Sequence, residues 1–86
     1  MYGSSQYLSI FNRVIEQGEQ RNDKYHSHGL TAWHDFEGYT CFIGYRELTM
    51  TIYFHNKYTY DTPDRQTLAE FETLIDQLAN DKAFHG

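Results

Sequence analysis

Apolar and polar residues alternate along three runs of the chain between Leu30 and Tyr60, separated by short turn signals at Glu37-Gly38 and Arg46-Glu47. Alternation with a period of two is typical of β-strands that bury one face. Gly at the second central position of a two-residue turn accepts a positive φ without steric cost. The pattern therefore predicts a tight antiparallel meander of three strands.

The two turns also predict the register of this meander. A two-residue turn at Glu37-Gly38 pairs Phe36 with Tyr39 and continues through Trp33–Phe42, while the second turn pairs Ile43 with Met50. Both hairpins place the same set of residues on one face, and a slip of one residue would turn that set outward. The predicted apolar face carries Leu30, Ala32, Phe36, Tyr39, Cys41, Ile43, Leu48, Met50, Ile52 and Phe54.

Helical periodicity flanks the meander on both sides. Ser4 or Ser5 is the predicted N-cap of a first helix, whose apolar stripe is Leu8, Phe11, Val14 and Ile15. The polar stretch 22–28 predicts a loop. Thr62 is the predicted N-cap of a second helix with Pro63 at its first position and Asn80 at its end. Its buried stripe is Leu68, Phe71, Leu74, Ile75 and Leu78.

These elements predict an α+β fold of order α-β-β-β-α. The antiparallel meander is three-stranded, or four-stranded if Tyr58–Tyr60 forms a separate strand, with two helices packed on one face. With 86 residues and one proline, the chain is expected to be a single domain over 1–86, frayed at 1–4 and 81–86.

Composition narrows the function classes. The net charge of −5 and the lack of a basic stripe argue against a nucleic-acid partner. The N-terminal residues contain no apolar run long enough for a signal peptide or a membrane span, so we expect a cytoplasmic protein without a membrane partner. One cysteine gives no internal disulfide, and no cofactor motif is present.

The predicted open face of the sheet is the first candidate site. Two helices cover only one side of a narrow sheet, and the register sends Trp33, Phe42, Tyr53 and His55 to the other side. Exposed aromatic clusters usually mark contact surfaces, although a cross-strand aromatic pair can simply stiffen a hairpin. The sequence thus predicts a small interaction or regulatory protein that binds a protein partner or associates with itself as a homodimer.

The alternative prediction is a protein that binds a metal or a small ligand. His26 and His28 project to one side of an extended segment, as Zn²⁺ or Ni²⁺ requires if a third ligand converges. His55, Asn56 and Lys57 interrupt an aromatic run and can line a small anionic site. A solvated polar loop explains the histidines equally well. For the second group the favoured explanation is that Asn56 supplies turn geometry and Lys57 protects a sheet edge from pairing.

Cys41 lies opposite His34 in the predicted register, and a thiol beside an imidazole can act as a nucleophile. Both side chains point toward the predicted helices, where a substrate would have little access. We therefore expect a structural, buried Cys41 that reacts slowly, and a cysteine enzyme is the less favoured class.

The segments GLTAWHDFEGYT at 29–40 and FHNKY at 54–58 resemble a family of short proteobacterial proteins known only as a domain of unknown function. The resemblance extends from the first helix through the third strand. It implies a small bacterial cytoplasmic protein, and it implies no activity and no catalytic residue.

Overall fold

A computed structural model of the protein describes residues 4–53, 57–62 and 64–81. Helix α1 spans Ser4–Gln17 and helix α2 spans Arg65–Ala79. Between them the described residues form six strands, which are β1 Glu19–Arg21, β2 Lys24–Ser27, β3 Leu30–His34, β4 Cys41–Tyr45, β5 Leu48–Tyr53 and β6 Lys57–Asp61. All neighbouring strands pair antiparallel in the order β1-β2-β3-β4-β5-β6. The α+β class with two helices and an antiparallel sheet is confirmed, but three or four strands understate the sheet.

The two extra strands at the N-terminal edge form a hairpin whose turn and second strand lie in the stretch 22–28, for which a loop is predicted. Asn22 and Asp23 both adopt positive φ, 53° and 66°, as the two central residues of a type I′ turn do. They join β1 to β2 with Arg21 opposite Lys24. A second positive-φ pair, His28 and Gly29, joins β2 to β3. The loop prediction for 22–28 is wrong because this turn chemistry outweighs the polar composition.

The predicted register of the central strands is confirmed. Trp33 pairs with Phe42 in β3–β4, and Ile43 pairs with Met50 in β4–β5. The fourth strand, which the sequence left open, is β6, where Tyr53 pairs with Lys57. Phe54, which was predicted for the apolar face, lies outside the described residues.

The turn between β3 and β4 differs from the predicted two-residue hairpin. Asp35 donates its backbone N–H to the Thr40 carbonyl at 3.0 Å, and Gly38 donates to the Asp35 carbonyl at 3.1 Å. The four residues 36–39 therefore form the tip, and Phe36 and Tyr39 are 104% and 64% exposed. Their assignment to the buried face is wrong. The register is unchanged because the longer loop takes one residue from the end of each strand.

Both helices pack on the same face of the sheet. The core contains Tyr7, Ile10, Phe11 and Val14 from α1, Leu30, Ala32, Ile43, Leu48, Met50 and Ile52 from the sheet, and Phe71, Ile75 and Leu78 from α2. The stripe of α1 is rotated from the predicted one, so that Leu8 is 40% exposed and Tyr7 takes a core position instead. Burial against the sheet decides which helical face is inside, and an aromatic hydroxyl does not prevent it.

The helix ends show how the chain changes direction. Gly18 ends α1 beside β2, where a Cβ would collide with the carbonyl oxygens of Val14 and His26. The N-cap of α2 is Asp64, whose carboxylate accepts the Thr67 N–H at 2.7 Å, so the prediction of Thr62 is wrong. Hydrogen bonds from two backbone N–H groups of the first turn, the larger contribution coming from Thr67, lower the pKa of Asp64. Asn80 forms the C-cap, as predicted.

Candidate functional site

The side of the sheet opposite the helices is the candidate site, and we call it the open face. Strand alternation assigns its side chains from the register. One row contains Glu19, His26, Thr31, Gly44, Thr49 and Asp61. A second, middle row contains Trp33, Phe42, Thr51 and Thr59, and a third contains Tyr53 and Lys57. The predicted partner-binding residues Trp33, Phe42 and Tyr53 therefore share this face.

Trp33 and Phe42 form a cross-strand stack at its centre. Their ring centroids are 5.3 Å apart and their planes differ by 13°. Lys24 places its Nζ 4.3 Å from the centroid of the Trp33 ring. The indole is thus flanked from both neighbouring strands, by a cation from β2 and a ring from β4. A stack and a cation–π contact of this kind hold the Trp33 side chain in one orientation.

Gly44 gives the indole its place on the sheet. A Cβ on Gly44 would lie 3.1 Å from Cζ3 and 3.4 Å from Cη2 of Trp33, closer than ordinary contact. The benzo ring of Trp33 therefore covers the backbone of Gly44, which is buried although it has no side chain. An aromatic ring over a glycine in a neighbouring strand compensates for the packing that the glycine lacks. The sequence did not identify the contacts that Lys24 and Gly44 make with Trp33. The i+2 spacing of Gly44 from Phe42, which puts both residues on the same face of β4, is the signal that could have identified the glycine.

Threonines surround this stack. Thr31, Thr49 and Thr51 are half-buried by their neighbours, and Thr59 is exposed on β6. Tyr53 is 46% exposed at the end of β5. Each threonine offers a methyl group and a hydroxyl, so the face combines apolar area with sites for hydrogen bonds.

The predicted ligand and metal residues are not brought together in the described part of the chain. His26 lies on the open face with Nδ1 3.3 Å from the Thr31 hydroxyl, and His28 lies in a turn with Nδ1 2.6 Å from the Ser27 hydroxyl. Within residues 4–53, 57–62 and 64–81 there is no group of three or more His, Cys, Asp or Glu side chains that could hold a metal. Lys57 is exposed on β6, whereas His55 and Asn56 lie outside the described residues.

Cys41 is opposite His34, as predicted, and packs at the border of the core. Partial burial, and after it the negative charge of Asp35, raises the pKa of the Cys41 thiol. His34 is exposed, and its Nδ1 donates to the Asp35 carbonyl at 3.0 Å rather than to the thiol. A raised pKa reduces the thiolate fraction, which is the reactive form.

A second aromatic cluster lies on the covered face, and we call it the tyrosine cluster. It contains Tyr7, Tyr58, Tyr60 and Phe71. The hydroxyls of Tyr7 and Tyr60 are hydrogen-bonded at 2.8 Å. Burial is the main cause that raises the pKa of Tyr60 far above its ordinary value and also raises that of Tyr7. Since helices cover it, this cluster belongs to the core and not to the candidate site.

Comparison with known proteins places the chain in a family. Residues 3–84 match the family model described as "Protein of unknown function (DUF3081)", and the chain belongs to that family. No curated protein matches the chain, and no solved structure does. Neither described helix is long and apolar enough to cross a membrane.

Proposed function

We propose that this protein is a small interaction protein that binds a protein surface through the open face. The observation that carries the proposal is the aromatic stack of Trp33 and Phe42 on the side of the sheet that neither helix covers. Contiguous exposed apolar area on a small protein usually marks a contact site. Aromatic residues near the centre of such an area supply most of the binding energy.

The proposal is supported by the fixed orientation that the Trp33 side chain has before any partner binds. Immobilising a side chain at an interface costs about 0.5–1.5 kcal/mol. Lys24, Phe42 and Gly44 already hold Trp33 in place, so a partner meets a ring that has little freedom left to lose. The threonines and charged edges around it correspond to the polar rim of a protein interface.

Site-specific photocrosslinking in living cells tests this function. A benzophenone amino acid replaces Thr51, which pairs with Phe42 in the middle row. The control carries the same amino acid at Leu8, an exposed position on the outer side of α1. We expect a crosslinked protein adduct at position 51 that disappears when Trp33→Thr is added and persists when Phe36→Thr is added.

Phe36 is the matched control because it is a fully exposed aromatic residue on the hairpin tip rather than in the middle row. Equal adduct yields at positions 51 and 8 would contradict the proposed function. An adduct at position 51 whose yield is unchanged by Trp33→Thr would contradict it as well. Thr keeps the β-propensity of the strand, and circular dichroism of each variant verifies the fold.

A further inference from the structure

We infer that the protein that occupies the open face is a second copy of this chain. The two sheets pack face to face about a two-fold axis that runs along the strands between β3 and β4. This inference rests on the proposed function, because it names the partner of the same surface.

The position of the aromatic stack favours this symmetry. A two-fold axis that relates two facing sheets lies in the plane between them, and the interface uses one patch on both copies. β3 and β4 are the two middle strands of the six described. An axis along them brings β3 of each copy over β4 of the other. Because Trp33 and Phe42 are directly opposite in register, Trp33 of each copy then meets Phe42 of the other.

The charges of the open face permit two copies to approach. The whole chain has a formal charge of −5. Within the described strands and the first loop residue after β3, the open face carries three carboxylates and three cations. These are Glu19, Asp35, Asp61, Arg21, Lys24 and Lys57. The face is therefore formally neutral, and the acidic excess lies elsewhere on the chain. Two formally neutral faces carry no net repulsion, although the proposed axis brings Glu19 of one copy over Asp61 of the other at each edge of the interface.

The area of the face is large enough for a modest dimer. Five gaps of about 4.8 Å between strands and three rows of alternating side chains give a footprint of roughly 500 Å². Covering it on both copies removes on the order of 1,000 Å² of accessible surface, the size of a weak, transient interface. Sheets packed in this way lie about 10 Å apart with strand directions within about 30°. We therefore expect a dimer that dissociates in the micromolar range.

Sedimentation velocity from about 1 to 200 µM, with emission of Trp33 at each concentration, tests the inference. Trp33 is the single tryptophan, so its emission reports this face alone. We expect the mass to rise from 10.2 kDa toward twice that value, with a blue shift of Trp33 over the same range. Trp33→Thr is expected to raise the dissociation constant at least about tenfold, and Phe36→Thr to leave it unchanged.

Thr51→Lys gives a second test that keeps every aromatic residue. It places an extra cation in the middle row of both copies, so we expect the dimer to be lost, whereas Thr73→Lys on the exposed side of α2 is the control. A protein that stays monomeric at 200 µM, or a dimer that resists both Trp33→Thr and Thr51→Lys, overturns the inference. A monomer that still gives the Trp33-dependent adduct at position 51 in cells overturns only the second copy and leaves the proposed function standing.

Discussion

The two faces of this sheet each carry an aromatic cluster, and the clusters differ in what surrounds them. Three elements build the tyrosine cluster: Tyr7 comes from α1, Tyr60 from β6 and Phe71 from α2. Strands that are neighbours in the sheet build the stack on the open face, through Trp33 and Phe42. Tertiary contacts between distant segments stabilise the first cluster, whereas contacts within the sheet alone order the second. A ring held only from the sides still presents its outer edge to solvent.

The chemistry of the polar atoms follows the same division. In the tyrosine cluster the two hydroxyls of Tyr7 and Tyr60 bond to each other at 2.8 Å, which satisfies polar groups at a place where helices exclude much of the water. On the open face the polar group next to the ring is the ammonium of Lys24, which remains exposed to solvent. One cluster is enclosed by the helices and the other is not covered by them.

The largest difference between the clusters is expected for truncation of a phenylalanine on each face. Phe71 is fully buried and contacts Tyr7, Tyr45 and Tyr60, so Phe71→Ala should lower the free energy of unfolding by about 3–5 kcal/mol. Phe42 is half-exposed, and Phe42→Ala should cost about 1 kcal/mol from the lost stack. Urea unfolding at low protein concentration measures both. Equal losses would show that the open face belongs to the core.

A smaller effect is expected at the hydroxyl pair. Tyr60→Phe removes the hydrogen bond to Tyr7 and should lower the free energy of unfolding at pH 8 by about 1 kcal/mol. The matched change on the open face, Tyr53→Phe at a residue 46% exposed, should stay within about 0.5 kcal/mol. A double variant Tyr7→Phe/Tyr60→Phe that is no worse than Tyr60→Phe would show that the pair acts as one unit.

The same pair gives the protein a pH dependence of known sign. Burial raises the pKa of Tyr60 and of Tyr7 in the folded state, whereas a tyrosine in the unfolded chain has a pKa of about 10. Stability from this source is thus fully present below pH about 10 and is lost as the pH rises toward the folded pKa. The urea midpoint of the wild type should fall between pH 8 and pH 11, and Tyr60→Phe should fall less. An equal decline would place its cause outside the cluster.

The difference between the faces also explains what the sequence could predict. The register of β3, β4 and β5 followed from period-two alternation in Leu30, Ala32, Ile43 and Met50. These residues form the part of the core that the sheet contributes. Trp33 and Phe42 could be assigned to the open face for the same reason. The site residues whose position depends only on alternation along a strand were therefore predictable.

Features that depend on turn chemistry or on distant contacts were not predictable in this way. Asn22-Asp23 makes a hairpin in a stretch with no alternation, so the pattern predicts a loop where β2 lies and does not indicate a strand at β1. The two-residue turn that Glu37-Gly38 predicts places Phe36 inside, yet the hydrogen bond from Asp35 to Thr40 closes a longer tip. Lys24 reaches Trp33 only because β2 exists, so its contact could not be predicted before that strand was known.

The smallest expected effect tests whether the open-face stack is held in place by Gly44. In Gly44→Ala the new methyl group meets Trp33 at 3.1 Å from Cζ3, so the indole must move by a few tenths of an ångström. The loss of contact opposes the gain of about 0.4–1 kcal/mol that alanine brings by restricting the unfolded chain. The net change in the free energy of unfolding should therefore lie within about 0.5 kcal/mol, while the near-ultraviolet circular dichroism of Trp33 changes. In a Trp33→Thr background the clash is absent, so Gly44→Ala should stabilise the protein. A double-mutant cycle measures this coupling, and a coupling of zero would show that the indole does not rest on Gly44.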